Sequence, residues 1–454
     1  MQQRVYELID SYRDSFTEIL QHWIRIPSVK GEAETGAPFG REIRRMLDTA
    51  MADAKGLGFD VRDFDGYACD VTLGDAEEKI AVLGHLDVVP VGDGWTKPPF
   101  DGLIENGRMY GRGTNDDKGP SLAALFAMRA IKDAGIPLKK SIRLILGCDE
   151  EEGWEDMKYY GEHERIPDVG FSPDAMFPLI NTEKGMIVSA FRAPAAEKGL
   201  KILETATGDR INVIPGECRV LAEGSAETAG KVKAWAERTG LPCTAEVTDR
   251  GVLITATGIP GHSAYPEGRR NAIGMMLLLL KELGAEGPVA TLAEAVGLES
   301  DGKSLGCACR DDVSEGLTCN MGILKLENGF WTGTLDMRCP VTADQEKLKE
   351  AIVSHLPGFE VTTEMQKPPH HVPADSELVS SLLAAYEEET GLEGRPMSTG
   401  GGTYAKVLKQ GVAFGALFPD EEDLAHQADE YGEIDRLMLA MKIYANALIR
   451  LAAE

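Results

Sequence analysis

Two histidines and a set of carboxylates stand where apolar runs end. In AVLGHLDVVP (residues 81–90) a buried-looking run climbs into His85, with Asp87 two residues on. Strand side chains alternate, so the two share a face. Asp87 can fix the imidazole tautomer as carboxylates do behind metal-bound histidines; the alternative is a hydrogen-bonded core histidine. GRGTNDDKGP (111–120) places Asp116 and Asp117 in a loop before a helix, either as caps or as a carboxylate bridging two cations. In CDEEEGWED (148–156) four acids, Asp149 to Glu152, follow an apolar strand. Adjacent acids at a buried strand end raise each other's pKa, and a cation relieves this. One glutamate can then bind the ion while its neighbour serves as a base; a solvated acidic run is the other reading. SPDAMFP (172–178) holds Asp174 between prolines, and LAHQADEY (424–431) holds His426. Two histidines with three or four carboxylates match the ligand chemistry of zinc or manganese, and a carboxylate bridge allows two ions.

A second group lies further along. GIPGHSAYPEGRRNA (258–272) puts His262 in a glycine-proline turn, GDRINVIPGECRV (208–220) puts Asn212 ahead of a strand, and GTLDMRCPV (333–341) puts Arg338 near a strand end. Turn, strand start and surface charge are their plain readings. STGGGTYAK (398–406) lacks phosphate-loop spacing. Its glycines, Gly402 among them, let a ligand approach the backbone or simply make a turn.

The elements that must position these residues follow from periodicity. Helical spacing runs from Val5 to Ile26 and from about Phe39 to Leu57. KIAVLGHLD and SIRLILGCDEE read as buried strands, with a helix over Pro120 to Ala134 between them. This order predicts an α/β fold with a mostly parallel sheet, whose sites gather beyond the strands' C-terminal ends. After Gly185 the texture changes to alternating strands (IVSAF, RVLAEG, VLITATG) and helices over Ala226 to Thr239 and Asn271 to Leu283. Residues 185–369 therefore read as an inserted α+β domain, and residues 1–184 with 370–454 as a discontinuous first domain. From Ser376 the first pattern resumes: a helix to Gly391, a strand VAFGALF, then LAHQADEY opening a last helix from about Ile434.

Composition narrows the function classes. A chain of 454 residues exceeds one ordinary core. A formal net charge of −27 argues against nucleic acid, whose binding rests on Lys and Arg neutralising phosphates. The N-terminus shows no secretory apolar stretch. The run Ala272 to Leu280 is too short to span a bilayer. Eight scattered cysteines without a CxxC pair read as reduced thiols in a cytoplasmic protein.

GHLDVVP, GRGTNDDKGP, DEEEGW, SPD, GHSAYPEGRRNA and AHQADE, in this order, resemble the co-catalytic zinc peptidases that include carnosinases, aminoacylases and glutamate carboxypeptidases. The DDKGP wording, the WEDMKYY stretch, the SPDAMFP loop and the long insert look most like PepV-type dipeptidases. The resemblance spans nearly the whole chain. It implies that Asp116 bridges two divalent ions, zinc first and manganese second. His85 and Asp174 complete one site, with Asp87 orienting His85; Glu151 and His426 complete the other. Glu150 is then the general base toward a metal-bridging water, although Glu152 leaves a shift of roles by one open. It also implies a cis peptide after Asp116. The insert resembles the family's lid, with His262 binding the oxyanion and Asn212, Arg338 and Gly402 holding substrate. The implied activity is hydrolysis of short peptides with a free N-terminus by a monomer whose long insert takes a partner subunit's place. An N-acyl amino acid deacylase or desuccinylase, and a non-catalytic binding protein, are the alternatives.

Overall fold

The computed structural model describes residues 2–195 and 198–453. The chain divides into two compact units. One comprises the stretch up to Asn181, His371–Met397 and the stretch from Gly402; the other comprises Thr182–His370 and Ser398–Gly401. The chain crosses the division within the strands Leu179–Glu183, His370–His371 and Pro396–Thr399, and once more after Gly401. The assignment of Ser398–Gly401 to the second unit is absent from the sequence reading.

In the first unit the strands run side by side in the order Asp60–Phe64, Ala68–Leu73, Ser141–Gly147, Lys79–His85, Val169–Ser172, Gln410–Ala413. The last four pair in parallel and the first two attach antiparallel, so the sheet is parallel at its centre. Alternation decides what covers it. Ile80 and Val82 face one core with the helices Lys118–Asp133 and Ile434–Ala452. Ala81 and Leu83 face a smaller cluster with Met157, Tyr160 and Tyr404. Covered on both faces, these strands are continuously apolar until His85.

The second unit holds an eight-stranded antiparallel sheet: Cys243–Thr248, Gly251–Thr257, Glu217–Ala222, Ile202–Thr207, Thr318–Glu327, Phe330–Cys339, Gly185–Pro194, Glu360–Lys367. Its core includes Trp331, Met321 and Leu277. The helix Ala226–Thr239 has the bounds expected, because Ser225 caps its start and Gly240 takes the left-handed conformation at its end.

Several expectations need correction. The first helical stretch is two helices, Gln2–Ser11 and Arg13–Ile24, with Tyr12 between them. The helix expected from Pro120 begins at Lys118, placing proline inside the first turn, where its missing N–H costs nothing. The strand VAFGALF breaks into Gln410–Ala413 and Ala416–Leu417 around Gly415, whose φ is 80°. LAHQADEY does not open the last helix; a short strand, Tyr431–Glu433, comes first.

Gly84 is required by close approach. A Cβ on Gly84 would lie 1.9 Å from Ser121 Oγ and 2.6 Å from Asp117 Oδ2, inside the buried core beside His85. Gly84→Ala should therefore destabilise the fold by about 1–3 kcal/mol through overpacking, measured by urea unfolding.

Candidate metal centre

His85 closes its strand with the side chain only 1% exposed. Its Nδ1 lies 3.0 Å from the Asp87 main-chain oxygen, which fixes the proton on Nδ1 and frees Nε2. Nε2 sits 3.0 Å from Asp116 Oδ1 and 3.7 Å from Asp174 Oδ2. The other Asp116 oxygen lies 3.0 Å from His426 Nε2, which is also 3.0 Å from Glu151 Oε2. Two groups of ligand atoms result, His85–Asp116–Asp174 and Asp116–Glu151–His426, each within 4.8 Å and sharing Asp116.

The elements that deliver these groups differ in kind. His85, the acid turn after Gly147 and Asp174 after Ser172 all leave the C-terminal ends of parallel strands. Asp116 and His426 come from loops. The peptide bond between Asp116 and Asp117 is cis, and His426 has φ 63°. Asp117 turns inward: its Oδ2 accepts the His85 main-chain N–H at 3.1 Å and the Ser121 hydroxyl at 2.7 Å.

The four-acid run separates into two pairs. Lys30 donates to Asp149 at 2.6 Å and lies 3.1 Å from Glu152, so these two face a lysine. Glu151 joins the His426 cluster. Glu150 Oε1 is buried without a hydrogen-bond partner. The Asp87 carboxylate accepts the main-chain N–H groups of Glu150 and Glu151, both at 3.2 Å, so it grips the acid turn as well as lying 3.4 Å from the imidazole. Behind the turn, Asp156 accepts the N–H groups of Cys148 at 2.6 Å and Asp149 at 2.9 Å and the hydroxyl of Tyr404. The sequence reading passed over Asp156 and Tyr404, because an acid and a tyrosine 248 residues apart carry no spacing signal.

Electrostatics follow from this crowding. Burial, then the nearby Asp174, pushes Glu150 well above the ordinary glutamate range. Burial and Asp116 push Glu151 up to about 7. Burial works against protonation of His426, but hydrogen bonds to Asp116 and Glu151 outweigh it and raise the imidazole to about 11. Burial would raise Asp116 too, yet bonds from His426 and His85 hold it well below the carboxylate range. Without metal, protons on its imidazoles offset only part of the cluster's negative charge. A carboxylate flanked through opposite oxygens by two histidine–acid sets fits a pair of divalent ions, and the donors suit zinc or manganese.

In the second unit, His262 pairs with Val213 in a two-stranded ladder. Its Nδ1 accepts the Ala264 N–H at 3.2 Å, and its Nε2 lies 3.5 Å from Asn212 Nδ2. Arg338 is buried and grips Asp336 through Nε at 3.0 Å and Nη2 at 2.9 Å, while Nη1 donates to Gly400 O at 2.8 Å. Gly402, in the first unit, is exposed just ahead of the 3₁₀ turn Tyr404–Val407.

The sequence profile of peptidase family M20/M25/M40 matches residues 81–450. The Bacillus subtilis (strain 168) protein YtjP is 38% identical over 446 residues, covering 95% of this chain and 96% of the relative. A Beta-Ala-Xaa dipeptidase from Lactobacillus delbrueckii subsp. lactis is 33% identical over 461 residues, covering 99% and 98%. Among solved structures, human carnosine dipeptidase 1 shares the fold with a TM-score of 0.63 at 16% identity, covering 99% of this chain and 98% of that one.

Because its acid neighbours raise the His426 imidazole to about 11 and burial raises Glu151 to about 7, a cation must displace protons to bind. Adding a divalent cation to metal-free protein at pH 7 should release protons into weak buffer. Affinity should rise with pH and weaken as pH falls. Calorimetry in buffers of different ionisation enthalpy checks both.

Proposed function

This chain belongs to peptidase family M20/M25/M40, and on that premise we propose that it is a metal-dependent dipeptidase acting on short peptides with a free N-terminus. The observation that carries the reading is Asp116 standing between two histidine–acid clusters, with the unpartnered Glu150 oxygen beside them. The Beta-Ala-Xaa dipeptidase relative supports the substrate class. His85, Asp116 and Asp174 would hold one ion and Asp116, Glu151 and His426 the other, zinc before manganese. When bound, the ions supply Lewis acidity that polarises the scissile carbonyl and lowers the pKa of a water.

The chain's own residues do the rest. Glu150 Oε1 takes the proton of the attacking water and returns it to the leaving amine; its upward-shifted pKa suits that exchange. Asp87 holds the main chain of Glu150 and Glu151 and aligns His85. His262 donates to the oxyanion. Asn212 and Arg338 hold the substrate, Arg338 with the donors left over from its bonds to Asp336 and Gly400 O, and Gly402 offers a close backbone contact. Residues 185–369 act as the lid in this reading, and 1–184 with 370–454 as the catalytic domain. All eight cysteines are free, which supports a reducing, cytoplasmic setting. Among the described residues no helix is long and apolar enough to cross a membrane.

Glu150→Gln should lower kcat by about 10²–10⁴-fold while both ions stay bound, as metal analysis would show. Loss of an ion would move the base role to Glu151 or Glu152. In a substrate panel, dipeptides should be cleaved. Turnover of N-acyl amino acids instead would make the chain a deacylase or desuccinylase, and turnover of neither a binding protein.

His262→Ala should cost about 3 kcal/mol of transition-state stabilisation with metal content unchanged. Mixing this variant with Glu150→Gln should restore no activity, and sedimentation should give a monomer. Recovered turnover would mean that subunits exchange the histidine.

A further inference from the structure

Two residues of the sequence motifs have no part in the chemistry above. Arg112 stands second in GRGTNDDKGP and Glu430 closes AHQADE. They are 318 positions apart, yet their side chains form an ion pair that is 1% and 0% exposed. Arg112 Nη1 donates to Glu430 Oε2 at 2.7 Å and to the Gln427 main-chain oxygen at 3.1 Å. Its Nη2 donates to Val91 O at 3.3 Å, and the guanidinium lies over the Trp95 ring at 5.2 Å.

The second Glu430 oxygen is used on the backbone. Oε1 accepts N–H groups from Gly113 at 2.9 Å, Asn115 at 3.0 Å and Asp116 at 3.4 Å. The Glu430 main-chain oxygen accepts from Gly111 at 2.9 Å. One carboxylate is thus the template on which the loop 111–116 is wound, and the loop ends at the shared ligand. On its other side the pair is tied to Gln427, the residue after His426. No helix or strand holds His426; it sits half-exposed in a loop with φ 63°. His85 and Asp174 need no such help. His85 is anchored by its strand, by Asp87 and by Asp117, and Asp174 follows the end of a central strand.

We propose that the buried Arg112–Glu430 pair is a positioning clamp that sets the Asp116–His426 separation, and so governs ion binding at Asp116–Glu151–His426 but not at His85–Asp116–Asp174. This rests on the two-ion reading of the centre. The pair touches neither cluster's outward-facing ligand atoms; it acts by joining the loop that carries Asp116 to the loop that carries His426. Breaking it leaves a buried charge unpaired, which destabilises the arrangement in which the two loops are joined.

The test is stepwise cation titration of Glu430→Gln with zinc or cobalt(II), the two affinities being read separately by calorimetry and by cobalt absorption. Glutamine keeps the size and one acceptor but removes the charge that Arg112 pairs with. One ion, the one that His426→Ala also weakens, should lose about 10- to 100-fold in affinity, the range seen when partners behind metal ligands are removed, with the other ion within about twofold of wild type. Arg112→Lys keeps the charge but loses the fork to Gln427 and Val91, and should give a smaller loss at the same site. It carries the test if Glu430→Gln does not fold. Equal weakening of both ions, or two ions at wild-type affinity in either folded variant, would overturn the clamp. A wild-type protein that binds fewer than two ions would instead sink the two-ion reading on which the clamp rests.

Discussion

Asp116 meets an imidazole through each of its oxygens, and the arrangement around it answers the repulsion that this concentration of charge creates. Asp117 is buried and Glu150, Glu151 and Asp174 are largely enclosed beside it, and desolvation is the largest influence pushing each of them toward its neutral form. Desolvating an unpaired carboxylate costs several kcal/mol, so acids do not gather like this for stability. Two imidazolium ions cannot neutralise five acids. Divalent cations can, and they would do so on the oxygens already turned toward one another.

The fold meets this constraint with two kinds of support. Where a ligand leaves a strand of the parallel centre, the sheet itself supplies rigidity and main-chain hydrogen bonds finish the aim. Where a ligand leaves a loop, buried polar side chains must hold it. Glu430 winds the loop before Asp116. Asp156 gathers the N–H groups at the start of the acid turn. Lys118, two residues after Asp116, donates to the main-chain oxygens of Trp23 at 3.1 Å and Ile26 at 2.7 Å, closing the end of the helix Arg13–Ile24. Its burial brings the ammonium down to about 7. Such groups are expensive to bury unless satisfied, and their density here follows from the loops they hold.

This division explains what the amino-acid order revealed. His85 and the acid turn were legible because an apolar run that stops at a polar residue is a local signal, whereas Asp174, in a turn between prolines, stood out only through the family resemblance. The helices from Ala226 and Glu377 were legible because Ser225 and Ser376 cap them and Gly240 and Gly391 end them. The break at Tyr12 was not, since neither glycine nor proline marks it. The sorting of Asp149 and Glu152 away from Glu150 and Glu151 was hidden because it depends on Lys30, 119 positions before Asp149. The same holds for Arg112 with Glu430 and for Tyr404 with Asp156: a buried pair formed by distant segments leaves no periodicity behind.

The second unit follows the same logic with different means. His262 and Val213 belong to a ladder of only two short strands, too small to hold itself in water. Asn320, on a long central strand, donates to Val213 O at 2.9 Å and Ile211 O at 3.4 Å, on either side of Asn212. Its own oxygen accepts from Asn271, which caps the helix that follows His262. Gly322 lets the backbone close in, since a Cβ there would lie 2.4 Å from Ile211 O. The ladder is therefore referenced to the eight-stranded sheet through satisfied buried amides. The main chain around His262 is thus positioned by groups of its own unit.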